Sequence, residues 1–228
     1  MQERELCFNC LRPKSSCYCK YVKDAGSKIK FVFLMHPKEA KRQRTGTGRL
    51  AHLCLKDSEI IVGIDFSKNE RLNALLSDER YFPFLMYPSD DAWNAKKEGF
   101  KSALGEKIPL VIIIDSTWFC SKKMIRQSQN LLSLPKISFY GSYKSIFTFK
   151  REPAEYCVST IESCYYLIKE MQANGLENFN ASPEPLMNVF KKMIQFQLQK
   201  ENDRIDGKLP SSHANDWKYT KKRKIPDF

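Results

Sequence analysis

The chain has 228 residues, 42% of them hydrophobic and 28% charged, enough to bury one sizeable core with a small appendage. Its 38 Lys and Arg against 26 Asp and Glu leave a net charge of +12, which favours a polyanion such as nucleic acid ahead of membrane; on charge alone a merely soluble basic surface competes equally. No segment approaches the roughly 20 apolar residues of a membrane span. The start Met1-Gln2-Glu3-Arg4-Glu5 lacks the apolar core of a signal peptide, so a cytoplasmic protein is expected.

Four of the eight cysteines crowd together as Cys7-x-x-Cys10 and Cys17-x-Cys19. In a reducing compartment, four soft thiolates on a short loop can close a tetrahedral shell around zinc, and a closed shell is structural. The Cys-x-Cys half is less usual than a second Cys-x-x-Cys, which leaves an iron–sulfur site or four unmetallated thiols as alternatives. Cys54, Cys120, Cys157 and Cys164 stand singly among apolar or helical residues, where cysteine acts as a small hydrophobe. Residues 1–24 are therefore expected to form a metal-binding module.

Lys20 to Lys28 reads as a linker into an α/β domain over residues 25–200. Ile29 to Met35 predicts a buried strand ended by His36-Pro37. The loop that follows carries Lys38, Lys41, Arg42, Arg44 and Arg49 with Thr45 and Thr47 between them, and leads into a helix from Leu50 to Leu55. Ile60 to Ile64 predicts a strand, Asn69 to Leu76 a short helix, and Phe84 to Tyr87 a strand closed by Pro88-Ser89-Asp90-Asp91. Pro109-Leu110-Val111-Ile112-Ile113-Ile114 is an unbroken apolar run, the pattern of a strand covered on both faces in a parallel sheet. It stops at Asp115-Ser116-Thr117-Trp118, on the rim where open α/β sheets bind ligands. Ser121 to Leu132 predicts a helix with Lys122, Lys123 and Arg126, and Lys136 to Tyr140 a strand; no register emerges from Gly141 to Lys150. Ser159 or Thr160 caps a helix with Glu162 in its first turn that runs to about Met171. Pro185 to Lys200 carries one apolar helical stripe. From Glu201 the periodicity fades into a basic tail, residues 201–228, with interleaved aromatics.

Five separated signatures, taken in order, resemble the motifs of the DTW-domain family: Cys7-x-x-Cys10-x-Arg12-Pro13-x-x-x-Cys17-x-Cys19; His36-Pro37-x-Glu39 with Arg44-Thr45-x-Thr47; Tyr87-Pro88; Asp115-x-Thr117-Trp118; and Ser159-Thr160-x-Glu162. The resemblance implies a tRNA-uridine aminocarboxypropyltransferase related to the SPOUT methyltransferases. Such an enzyme moves the 3-amino-3-carboxypropyl group of S-adenosylmethionine to N3 of a tRNA uridine and releases methylthioadenosine. It further implies a mostly parallel sheet flanked by helices with a C-terminal trefoil knot, and a bent cofactor held by the loops around Leu85, Tyr87 and Pro88, Leu134, and Ser159 and Thr160. The family's usual Tyr and Arg between Phe139 and Lys150 find no match.

Uridine N3 is a poor nucleophile while it carries its proton, so a base must remove that proton as the new bond forms. Asp115, at the end of an apolar strand, is the candidate, since desolvation would raise its proton affinity. The competing role is a cap on the following helix. Thr117 would bond the uracil edge or the cofactor carboxylate, and Trp118 is either a stacking platform or a core residue. The Lys41, Arg42, Arg44, Thr45, Thr47 and Arg49 loop is the candidate grip on tRNA phosphates, against a solvated basic loop. His36 is expected to make a structural hydrogen bond, and Glu39 and Glu162 to pair with an Arg, for Glu162 Arg151. Methyl transfer to RNA and a non-catalytic zinc and RNA-binding module are the competing functions.

Overall fold

In the computed structural model, residues 5–42, 46–148, 157–209 and 221–228 are described, apart from the side chains of Arg42 and Trp118. Five strands, β1 (Lys30–Met35), β2 (Ser58–Val62), β3 (Tyr81–Met86), β4 (Ile108–Asp115) and β5 (Lys136–Ile137), form one sheet in the order β2-β1-β4-β3-β5. Every pairing is parallel. Among the described residues, eight α-helices connect or flank them: α1 (Pro37–Arg42), α2 (Thr47–Cys54), α3 (Glu70–Leu76), α4 (Phe100–Leu104), α5 (Trp118–Gln127), α6 (Gln129–Leu132), α7 (Thr160–Ala173) and α8 (Glu184–Ile205).

Both sheet faces are covered, which is why β1 and β4 read as continuous apolar runs. Phe31, Phe33, Phe84, Val111 and Ile113 pack with α2, α4, α7 and α8 on one face. Val32, Leu34, Leu85, Leu110 and Ile112 pack on the other with Leu72 and Leu75 of α3, Met124 of α5 and Leu131 of α6. Alternation along β4 therefore puts Asp115 on the face of Val111 and Ile113, toward α2 and α7.

The order of the strands places the site. From β1 the chain proceeds to its outer neighbour β2, whereas from β4 it crosses β3 to reach β5 on the opposite edge. The connections diverge between the C-terminal ends of β1 and β4, the switch point at which open α/β sheets leave a crevice. Met35 and Asp115 are register partners there.

Several elements differ from the sequence expectation. The helix expected over Ser121 to Leu132 starts at Trp118 and breaks at Ser128, a buried residue whose hydroxyl accepts from Phe66 N at 3.0 Å. The last strand is only Lys136–Ile137, because the N–H groups of Tyr140 and Gly141 turn to the Glu170 carboxylate. The linker is built into the fold: Ala25 is buried, donates to Cys54 O at 2.9 Å and accepts from Ser182 N at 2.8 Å. Helix α8 continues to Ile205, and the end of the chain returns along it, with Asn202 exchanging hydrogen bonds with the Arg223 backbone. No helix among the described residues is long and apolar enough to cross a membrane.

Candidate active site

Asp115 is 5% exposed and clasped by segments far away in sequence. The Thr160 hydroxyl donates to its Oδ1 at 2.8 Å, and its backbone carbonyl accepts from His36 N at 3.1 Å. Gly48, in the first turn of α2, packs directly on the carboxylate. Thr47 and Thr160 open α2 and α7, so the positive ends of two helices face the carboxylate in a field complementary to its anion. The cap of α5 is Thr117 instead, whose hydroxyl oxygen accepts from Cys120 N at 3.5 Å. Trp118 is the first residue of α5. His36 makes the structural bond expected of it, accepting from Lys38 N at Nδ1 (3.1 Å). Burial, then the charges of Lys38 and Lys123, push its pKa down and keep the ring neutral.

The residues expected at the cofactor fall into three places. Leu85 is buried in the α3–α5–α6 face of the core, and Leu134 packs on the same cluster. Tyr87 and Pro88 leave the end of β3, with Tyr87 N donating to Ile137 O at 3.1 Å. Pro88 borders an open cleft of about 520 Å³ that Ser89, Asn94, Ser138 and Phe139 also line. Thr160 is committed to Asp115, and Ser159 donates through both its N–H (2.8 Å) and its hydroxyl (2.6 Å) to Glu162. Asp115 is not among the residues lining the cleft.

Of the basic loop, Lys41 is exposed on α1, which ends at Arg42. Arg44 and Thr45 lie outside the described residues. Thr47 is buried, and Arg49 donates to Ala40 O at 3.2 Å, which ties α2 to α1. These last two positions shape the loop's frame.

Sequence reasoning missed how α7 organises the stretch before it. Glu162 and Glu170 are almost wholly buried. Glu162 accepts from Ser145 Oγ and from Ile146 N, each at 2.7 Å, in addition to Ser159; its expected partner Arg151 lies outside the described residues. Glu170 accepts from Tyr140 N (3.1 Å), Gly141 N (2.8 Å) and the Tyr143 hydroxyl (2.9 Å). Tyr143 in turn stacks on Tyr166, with ring centroids 3.8 Å apart. The readable signal was two acids within the apolar face of a helix, where an unpaired carboxylate would be costly.

The sulfur atoms of Cys7, Cys10, Cys17 and Cys19 lie within 4.8 Å of one another. Cys7 and Cys19 are 3.7 Å apart, and Cys10 and Cys17 3.6 Å. A tetrahedron with metal–sulfur bonds of about 2.3 Å has edges of about 3.8 Å, so the thiols already hold the spacing a metal ion needs. Backbone N–H groups of Cys10 and Asn9 lower the Cys7 thiol to about 6, whereas burial and the neighbouring thiols push Cys19 up to about 12, so Cys7 is the thiol that most readily forms a thiolate. Leu11, at φ 55°, turns the knuckle. The module docks on α8 through Tyr18, edge-on to Phe196 at 5.9 Å and covered by the Arg12 guanidinium at 4.2 Å.

The family model of the DTW domain matches residues 4–198, cysteine cluster included. A relative from Arabidopsis thaliana, tRNA-uridine aminocarboxypropyltransferase A, is 24% identical over 221 residues, covering 85% of this chain and 81% of its own. No solved structure matches the chain.

Proposed function

Because this chain belongs to the DTW-domain family, we propose that it is a tRNA-uridine aminocarboxypropyltransferase that uses S-adenosylmethionine as co-substrate. The observation that supports this reading best is Asp115 at the switch point of the sheet, held by Thr160 and Gly48 beside the end of β1. In the reaction, Asp115 accepts the N3 proton of the uridine while N3 bonds to the γ-carbon of the methionine moiety. The bond from that carbon to sulfur breaks, its electron pair stays on sulfur, and neutral methylthioadenosine leaves. Because sulfonium activates three carbons, the outcome depends on which of them the pocket sets in line with N3. The cleft beside Pro88 and Ser138 is the proposed seat of the co-substrate. The SPOUT-like trefoil knot belongs to the same reading; the insertion of β4 between β1 and β3 is in keeping with it.

Within this reading residues 25–200 are the catalytic domain and residues 201–228 a basic tail. Residues 1–24 are a module whose four thiolates hold a structural zinc ion. Lys41, Arg42 and Arg44 grip tRNA phosphates, and the protein works in the cytoplasm, where thiols stay reduced.

The burial of Asp115 favours a second role, in which its carboxylate positions the N-termini of α2 and α7 and does not itself take the proton. Incubation with unmodified tRNA and S-adenosylmethionine, followed by mass spectrometry, tests the function: methylthioadenosine with aminocarboxypropyl uridine supports it, S-adenosylhomocysteine points to methyl transfer, and neither product points to a binding module. Asp115→Asn separates the two roles, because the amide oxygen still accepts from Thr160 but is no base. Loss of transfer with tRNA and co-substrate binding intact assigns the proton to Asp115; wild-type turnover makes it a positioning residue.

A further inference from the structure

We propose that the outer stripe of α5, made of Phe119, Lys122, Lys123 and Arg126, is a second RNA contact, with Phe119 stacking on an unpaired base and the cations gripping the adjoining phosphates. The proposal rests on the reading of the chain as an enzyme acting on RNA and adds a surface outside the Lys41–Arg44 loop.

Helix α5 turns Met124 fully into the core, against the cluster of Val32, Leu34 and Leu110. Positions 119, 122 and 126 fall on its opposite side and 123 on the adjoining flank, at helical spacings of three and four, and so form one continuous stripe. Phe119 is 87% exposed, which excludes a packing role for its ring. Lys122, Lys123 and Arg126 are exposed, and none of them is in an ion pair among the described residues.

The stripe starts close to Asp115 along the chain, on a helix that covers the sheet face opposite to the one its carboxylate occupies. Phe119 follows Asp115 by four residues, at most about 14 Å of chain. Helices α1 and α5 begin just beyond the register partners Met35 and Asp115, where His36 N donates to Asp115 O at 3.1 Å, so both helices start at the same end of the sheet. Exposed Lys38 and Lys41 on α1 thus lie at the same end of the sheet as the start of the stripe. An exposed aromatic ring among unpaired cations, on a chain of net charge +12, matches the chemistry that binds unpaired nucleotides: a π-face for any base and positive charge for its backbone.

The test uses the full chain and an in vitro transcribed tRNA, with affinity read by fluorescence anisotropy over a salt series. Phe119→Ala should weaken binding about tenfold to a hundredfold and leave the salt slope unchanged, because stacking releases no counterions; Phe119→Trp should restore it. Lys122→Ala with Lys123→Ala should weaken binding and reduce the log–log salt slope by about 1.4, roughly 0.7 for each phosphate no longer neutralised. Calorimetric binding of S-adenosylmethionine should not change in any variant. Wild-type RNA affinity and slope in both sets of variants would overturn the proposal and hand the stripe to another partner. Should the wild type form aminocarboxypropyl uridine while Phe119→Ala binds RNA normally, this inference alone falls. Should the wild type bind tRNA without modifying it and Phe119→Ala still weaken binding, the contact stands and the proposed reaction falls.

Discussion

Gly48 approaches Asp115 so closely that a β-carbon at position 48 would stand 2.4 Å from the carboxylate Oδ2. No side chain fits there unless the carboxylate moves, and its Oδ1 is held by Thr160 at 2.8 Å. Glycine in a helix normally costs about 1 kcal/mol relative to alanine, so its presence in the first turn of α2 is explained by this contact and not by helix stability.

Gly48→Ala should therefore separate stability from chemistry. The gain in helix propensity offsets part of the clash, and the melting temperature should stay within a few degrees of wild type. Displacement of the carboxylate should lower uridine modification by at least about tenfold, since misplacement of a reacting group by about 1 Å costs on the order of a hundredfold. Wild-type turnover in this variant would show that the position of Asp115 is not critical.

Glu170→Gln should loosen the segment from Tyr140 to Tyr143. The carboxylate accepts three hydrogen bonds there, and an amide presents a donor in place of one acceptor oxygen, leaving a buried donor unpaired. The expected loss is about 1–3 kcal/mol in urea unfolding, with faster proteolysis around Tyr143. Phe139 lines the cleft beside Pro88, so affinity for S-adenosylmethionine should fall in the same variant.

Replacing Cys7 and Cys10 with serine should remove bound zinc, measured by elemental analysis, and lower stability more than it alters the chemistry of the folded fraction. Two ligands are removed from a four-thiol site whose module reaches the core through Tyr18 and Phe196. Equal metal content in wild type and variant would remove the cluster as a metal site.

Stability should fall in acid through Glu59. Hydrogen bonding to Arg71, and then to Lys30, lowers its carboxyl from 4.5 to about 2. A depressed folded-state value means that the stabilisation is complete above the unfolded value and is lost as pH drops from about 5 toward 2. Glu59→Gln should flatten the chemical-denaturation profile across that window by up to roughly 2 kcal/mol, reduced from the full linkage value because Arg71 is solvent-exposed. Glu59 sits on an edge strand among Lys30, Asp57 and Arg71, so uridine modification at neutral pH should be unaffected.

Local patterns carried much of the architecture. The run from Pro109 to Ile114 announced a strand covered on both faces, and β4 is that strand, with Asp115 at its C-terminal end. The spacing of Cys7, Cys10, Cys17 and Cys19 announced a ligand cluster, and their sulfur atoms do converge. Ser159 and Glu162 marked the start of α7, because a capping box is a contact between residues three apart. The span from Gly141 to Lys150 stayed unreadable because it has no period of its own; where it is described, its order comes from two carboxylates on α7.

By itself, the sequence determined most of the strands and the longer helices, which residues gather at strand ends and which thiols cluster, since periods of two and 3.6 residues, caps and ligand spacings are all local; the short helices α1, read as part of a loop, and α4 have too few turns to show a period. Tertiary structure alone decided that Asp115 meets Thr160 and Gly48. It also decided that β1 and β4 lie side by side with their connections diverging. Those relations depend on strand order and on which helix covers which face, and both are set by how the apolar faces bury one another across the whole chain.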